Sequence, residues 1–192
     1  RRALTELELE GYVYRAQGKG SYVSEPKLRQ ALFKLTSFTE DMRDRGMKPG
    51  SKVLKKELLP ANEEVSNRLQ IEKEEDIFFL QRVRFADEEP LAIEASYLRQ
   101  NLCPGIENVD FTNRSLYKTL QDEFEISLGR AEQSVEANLA SEFEADILRV
   151  DKGSPMLTTE RLSFLANKET PIEFARSTYR GDRYKMLVEL TR

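Results

Sequence analysis

Arg82 and Arg84 stand two residues apart in a run, Ile77 to Phe85, that is otherwise almost wholly apolar. Side chains two apart on a strand share a face, so both guanidinium groups point the same way, together with Phe78 and Leu80. Ile77, Phe79, Val83 and Phe85 line the other face. A strand apolar on both sides belongs in an interior, where two cations need an anion or acidic partners. The planar fork of arginine suits phosphate oxygens. If the hairpin spanning Asp76 to Leu98 turns symmetrically about Glu88, Arg82 lies opposite Glu94, which would neutralise an arginine or accept a hydroxyl. A plain Arg–Glu ladder across two strands has the same spacing, and on spacing alone it is the simpler reading.

Other residues offer related chemistry. Phe38 and Thr39 open a helix marked by the capping-box spacing Ser37-Phe38-Thr39-Glu40, and free N–H groups at a helix start suit phosphate. Ser115 and Tyr117 open another helix, with Ser115 otherwise a cap and Tyr117 otherwise core. Glu173 and Tyr179 share a strand face suited to sugar hydroxyls and a ring, or simply to a half-exposed sheet surface.

The chain has no histidine and one cysteine, Cys103, in 192 residues. Ser-His-Asp and Cys-His catalysis are therefore excluded, a zinc site would have to be built from carboxylates, and no internal disulfide can form. No metal or cofactor is expected. Absence of a long apolar run or a signal-peptide pattern, with a lone cysteine, points to a cytoplasmic protein without a membrane span. Net charge is −4, so contact with nucleic acid would need a local basic patch.

The elements that carry these side chains follow in mixed order along the chain. A helix is expected from Arg1 to a terminator at Gly11, then a hairpin with its tip at Gly18-Lys19-Gly20. The polar run Ser24-Glu25-Pro26-Lys27 reads as a linker. After it come a helix from Ser37 to Gly46, a strand over Lys52–Leu59, a helix over Asn62–Leu69, and the Asp76–Leu98 hairpin turning at Asp87-Glu88-Glu89. A loop with Pro104 and Gly105 precedes a helix over Ser115–Phe124, a strand over Leu128–Leu139 and a second capping box, Ser141 to Glu144, whose helix runs to about Val150. Strands over Met156–Leu165, Pro171–Tyr179 and Tyr184–Leu190 close the chain, with a turn at Asn167-Lys168. Antiparallel neighbours mixed with helices argue α+β.

The wording R-R-A-L-x-E-L-E-x-E-G-Y-x-Y-R-x-Q-G-K-G-S-Y-V, from Arg1 to Val23, resembles the recognition helix and wing of GntR-family regulators. The resemblance implies DNA contacts from Arg1 and Arg2, and from a wing tip of Gly18, Lys19 and Gly20. The family's winged helix-turn-helix has two helices and a strand upstream of this helix. The chain from Arg1 is therefore expected not to bind operator DNA by itself, since that needs the full winged domain.

From Leu35 onward the chain resembles the UTRA effector-binding domain of the HutC branch, of chorismate-lyase-like antiparallel-sheet fold. The carriers are L-T-S-F-T-E-D-M-R-x-R-G-M-x-P-G (Leu35 to Gly50), Q-R-V-R-F-A-D-x-x-P-L-A-I-E (Gln81 to Glu94) and E-F-A-R-S-T-Y-R-G-D-R-Y (Glu173 to Tyr184). The resemblance implies residues 1–24 as the end of the DNA reader, 25–34 as linker and 35–192 as effector domain. It also implies an effector pocket of Phe38, Thr39, Arg82, Arg84, Glu94, Ser115, Tyr117, Glu173 and Tyr179. Within the branch the wording is similar to repressors of N-acetylglucosamine utilisation, which implies a homodimeric repressor, not an enzyme, answering to N-acetylglucosamine 6-phosphate or glucosamine 6-phosphate. Sensing of another sugar phosphate or an organic acid stays open, as does an enzyme using Glu94 and Glu173 as a carboxylate pair. Arg180-Gly181-Asp182-Arg183-Tyr184 is expected to form a turn locked by Asp182–Arg183 hydrogen bonds. Glu63-Glu64 and Glu72–Asp76 are expected on solvated surface.

Overall fold

A computed structural model describes residues 2–9, 12–16, 20–23, 27–31, 34–166 and 168–190. Six antiparallel strands form the main sheet in the order β4-β5-β6-β9-β8-β7. They are β4 (Pro49–Pro60), β5 (Asp76–Ala86), β6 (Glu89–Arg99), β7 (Leu128–Leu139), β8 (Pro155–Leu165) and β9 (Pro171–Arg180). Near the N-terminus α1 (Arg2–Leu9) precedes a hairpin of β1 (Val13–Ala16) and β2 (Gly20–Val23). The helix and hairpin expected there are present; Gly11, Gly18, Lys19 and residues 24–26 lie outside the described residues, as does Asn167 of the Asn167-Lys168 turn.

The helices begin where their caps place them. In α2 (Phe38–Asp44) the Ser37 side chain accepts from Glu40 N while the Glu40 carboxylate accepts from Ser37 N at 2.8 Å, and Gly46 follows at φ +75°. Ser141 and Glu144 repeat the box at α5 (Glu142–Leu148). Asn62 caps α3 (Glu63–Leu69), and Ser115 caps α4 (Leu116–Phe124). Such caps satisfy N–H groups that a helix start otherwise leaves open.

β5 is buried on both faces, as its composition demands. Phe78 and Leu80 pack with Phe111, Leu116 and Leu120 from the loop and helix over one face. Ile77 packs with Val65 and Leu69 of α3, and Val83 with Ala145 and Leu148 of α5, on the other. Arg82 therefore faces the α4 side of the sheet. Asp87 and Glu88 both adopt left-handed backbone (φ 47° and 70°), the conformation a two-residue hairpin turn requires. A bulge at Leu91 then sets Arg82 opposite Glu94.

Three features depart from the sequence expectation. The segment 25–34 carries a strand, β3 (Leu28–Ala31), paired in parallel with β10 (Tyr184–Leu187). It is anchored by Leu28 against a cluster of Phe38, Met42, Tyr179 and Tyr184. β10 ends at Leu187, where that pairing ends, rather than at Leu190. The loop before α4 holds two 3-10 turns, Gln100–Leu102 and Ile106–Asn108, that bury Cys103 and Ile106. No helix among the described residues is long and apolar enough to cross a membrane.

Candidate functional site

The cavity opens on the α4-facing side of β5, β6, β8 and β9, with α2, α4 and β3 forming its rim. Arg82 and Arg84 are each only 2% exposed on its floor. One Nη of Arg82 donates to the Glu94 carboxylate and the other to the Arg114 carbonyl at 2.9 Å. Arg84 donates to Thr39 Oγ1 at 2.9 Å, lies 3.5 Å from the same Glu94 oxygen, and stacks 4.8 Å above the Phe38 ring. Both arginines thus lean on one carboxylate. The Nε of each is buried with no hydrogen-bond partner among the described residues. A desolvated donor without a partner is costly, so these two favour any acceptor that enters.

Burial pulls Arg84 down to about 10; Glu94 opposes that and the Arg82 charge adds to it. Glu94 goes the other way: burial alone would raise it, but the charges of Arg82 and Arg84 outweigh that and hold it below the usual carboxylate range. It is therefore ionised at neutral pH, with one of its oxygens shared by the two arginines.

Glu173 forms a second centre on β9. It accepts from Tyr117 Oη (2.8 Å), Ser96 Oγ (2.8 Å) and Ser163 Oγ (3.1 Å). Burial pushes its carboxyl up, opposed by the Tyr117 bond and reinforced by the negative Glu94. Tyr117 is raised by burial and by Glu173, so its hydroxyl stays protonated and donates. Tyr179 also lines the cavity, raised by burial and packed at a tilt of 37° against Tyr184 with ring centres 4.6 Å apart.

All nine residues expected to form the pocket line this one cavity: Phe38, Thr39, Arg82, Arg84, Glu94, Ser115, Tyr117, Glu173 and Tyr179. Ser115 is a helix cap and a lining residue at once, donating neither outward nor to Glu173 but to Ser37 Oγ at 3.4 Å. Tyr117 does both: its ring packs against the core cluster around Phe78 and Leu120, and its hydroxyl donates to Glu173 in the cavity.

The sequence reading missed a third cation, Arg161 on β8. It donates to Gln133 Oε1 (2.7 Å) and the Thr36 carbonyl (3.2 Å). Its burial would lower it, but neighbouring Tyr117, Tyr179 and Glu173 raise it, so it remains charged. Thr159, Arg161 and Ser163 share one face of β8, opposite Ser177, Ala175 and Glu173 of β9, but Thr158 and Glu160 put polar groups on the other face too, so no alternation in the sequence marks Arg161 out. Three cations therefore surround two carboxylates, one of them pushed towards protonation. The cavity carries an excess of positive charge and is narrow, about 30 Å³ in volume.

The remaining candidates lie elsewhere. Arg2 is exposed and pairs with Glu6 at 3.3 Å; Gly20 opens β2 at φ +105°, also exposed. Arg1, Gly18 and Lys19 lie outside the described residues. The turn at Arg180–Tyr184 forms with different partners: Asp182 pairs with Arg180 (2.7 Å), and Arg183 pairs with Glu89 (2.6 Å). Asp182 sits on the turn beside its own strand's Arg180, while the adjacent strand β6 presents Glu89 to Arg183. Of the acidic clusters, Glu64 is not merely solvated, since it holds Arg176.

The model of the UTRA domain matches residues 44–185. The HTH-type transcriptional repressor NagR of Bacillus subtilis is 41% identical over 184 residues, covering 96% of this chain and 75% of that protein. The histidine utilization repressor of Pseudomonas putida is 30% identical over 185 residues, covering 96% and 73%. Among solved structures, PhnF from Mycobacterium smegmatis superposes with a TM-score of 0.81 at 29% identity, covering all of this chain and 83% of that one.

Proposed function

The chain belongs to the UTRA-domain family of GntR-type transcriptional repressors, and we propose that its cavity binds a phosphorylated amino sugar, N-acetylglucosamine 6-phosphate or glucosamine 6-phosphate, as effector. One observation carries the proposal: Arg82 and Arg84, both buried, share a single carboxylate and keep unpartnered Nε donors in a cavity with excess positive charge. A phosphate supplies the missing acceptors and the missing negative charge together. Phe38, Thr39, Ser115, Tyr117, Glu173 and Tyr179 then surround the sugar, with hydroxyl and carboxyl groups suited to its hydroxyls, once α2, α4 and β3 at the rim move apart to widen the narrow cavity. Glu94 and Glu173 do not form a catalytic pair in this scheme. The first is locked by two arginines and the second is held by three hydroxyl donors.

In the full regulator, a cytoplasmic homodimer presents two winged domains to operator half-sites, with Arg1, Arg2, Gly18, Lys19 and Gly20 on the DNA. Effector binding shifts operator affinity by stabilising one arrangement of reader and sensor over another. Residues 1–24, 25–34 and 35–192 serve as reader end, connection and sensor.

Calorimetric titration with both amino-sugar phosphates, glucose 6-phosphate and unphosphorylated N-acetylglucosamine tests the proposal. Binding should require the phosphate and favour the amino sugars. Arg82→Ala or Arg84→Ala removes two charge-assisted hydrogen bonds, about 1.5–3 kcal/mol each, so affinity should fall by about a hundredfold or more with the circular dichroism unchanged. Unchanged affinity in either variant overturns the assignment. Preference for a different sugar phosphate or an organic acid would keep the anion grip and replace the ligand.

A further inference from the structure

Gln30 lies on β3, the next strand after the β1–β2 hairpin, yet its side chain reaches the cavity and is 6% exposed. No donor among the described residues reaches its Oε1. A buried amide oxygen without a partner is a cost that a ligand group can remove.

We propose that Gln30 contacts a hydroxyl of the bound ligand and that this contact couples occupancy of the cavity to the docking of β3, the strand leading from the DNA reader. The idea rests on the phosphosugar reading above. A hydroxyl is the matching group because it both donates and accepts, as the amide does. β3 is held by modest forces: a four-residue parallel ladder to β10, Lys27 Nζ on the Gly181 carbonyl (2.7 Å) and Leu28 N on the Arg183 carbonyl (2.8 Å). A short two-stranded ribbon is marginal by itself, so one added hydrogen bond is enough to bias its docking. Leu28 and Met186 of the ribbon pack against the cluster that contains Phe38 and Tyr179, two residues of the cavity wall. Ligand, cavity wall and ribbon therefore touch in sequence.

The test compares the 192-residue chain with Gln30→Met, which keeps side-chain length and removes the amide. N-acetylglucosamine 6-phosphate is the probe, read by calorimetry and by amide hydrogen exchange at ligand saturation. The variant should melt at the same or a higher temperature without ligand, because an unsatisfied polar atom has gone. Its affinity should fall about tenfold, the loss of one hydrogen bond. Ligand should protect the amides of residues 28–31 in the parent and not in the variant, while β5 gains protection in both. If the parent binds, then unchanged affinity or β3 exchange indifferent to ligand overturns the inference alone. A ligand-free variant that melts lower or fails to fold also overturns it, since Gln30 is then a structural residue. A parent that does not bind the phosphosugar overturns the proposed function and this inference with it.

Discussion

Glu94→Gln keeps the shape of the side chain and one hydrogen-bonding oxygen for Arg82 while removing the charge on which both arginines lean. Arg84 Nη1 is 3.5 Å from that oxygen. At an effective dielectric of about 20, unit charges at such a separation interact by about 5 kcal/mol. Part is retained through the amide oxygen, so the loss should fall near the roughly 3–5 kcal/mol seen when one partner of a buried pair is removed. For a domain of this size that lowers the melting temperature by about 6–20 °C. The second consequence separates an anion grip from a strand-to-strand ladder. With Glu94 neutral, an incoming phosphate meets two less compensated guanidinium groups. If about a third of one such interaction is recovered, inorganic phosphate binds about tenfold more tightly. Scanning calorimetry and titration calorimetry, both in buffer free of sulfate and phosphate, read the two effects. A lowered melting temperature with phosphate binding unchanged or weakened refutes the reasoning, because the arginines then serve Glu94 and nothing else.

Glu173→Gln should act with the opposite sign on stability. The folded-state pKa of Glu173 is raised, so its contribution is fully present below the ordinary glutamate value and is lost as pH rises through the folded value. The glutamine variant should therefore melt at the same or a higher temperature at pH 7, with the advantage shrinking towards pH 4; a parent more stable than the variant at pH 7 contradicts the assigned direction. Gly181→Ala tests the turn that carries β9 into β10. A Cβ there would sit 2.6 Å from the Pro155 carbonyl oxygen, which also accepts the Gly181 N–H at 3.0 Å. Relieving the overlap should cost about 1–3 kcal/mol and appear as a lower denaturant midpoint, and an unchanged midpoint would mean that the turn yields freely.

Local signals were legible where one short stretch determined the outcome. Both Ser-x-x-Glu boxes start helices where expected, because the cap and its partner are three residues apart. The Arg82–Glu94 pairing was also legible, although by a different route. A symmetric turn about Glu88 gives the same register as a two-residue turn combined with a bulge at Leu91. β3 was not legible: Leu28 to Ala31 shows no long alternation, and its partner, Tyr184 to Leu187, lies at the other end of the chain. Arg161 escaped notice for a related reason. A single arginine in an amphipathic strand looks ordinary until β8 is known to lie beside β9, which brings it to Glu173 and Tyr117. The same limit explains Arg183, whose partner Glu89 comes from β6. Residues that depend on strand order are hidden from any reading of local spacing.

The position of the cavity within the core follows from this arrangement. The same sheet face is apolar on one side of the arginines, around Phe78, Leu80 and Leu120, and apolar on the other, around Phe38, Met42 and Tyr184. Between them lies a buried polar patch whose donors and acceptors are only partly matched: Arg82 Nε, Arg84 Nε and Gln30 Oε1 have no partner among the described residues. A partly matched polar interior lowers stability compared with a fully matched one. A ligand that completes the set recovers that deficit and stabilises the folded chain in proportion to its occupancy. Phe38 and Tyr179 belong both to the cavity wall and to the cluster that anchors β3 and β10, so under the proposed function ligand binding would bear on the docking of β3. In that scheme the incomplete hydrogen bonding is what would let binding be felt outside the pocket, since a fully satisfied core at this position offers a ligand no deficit to remove.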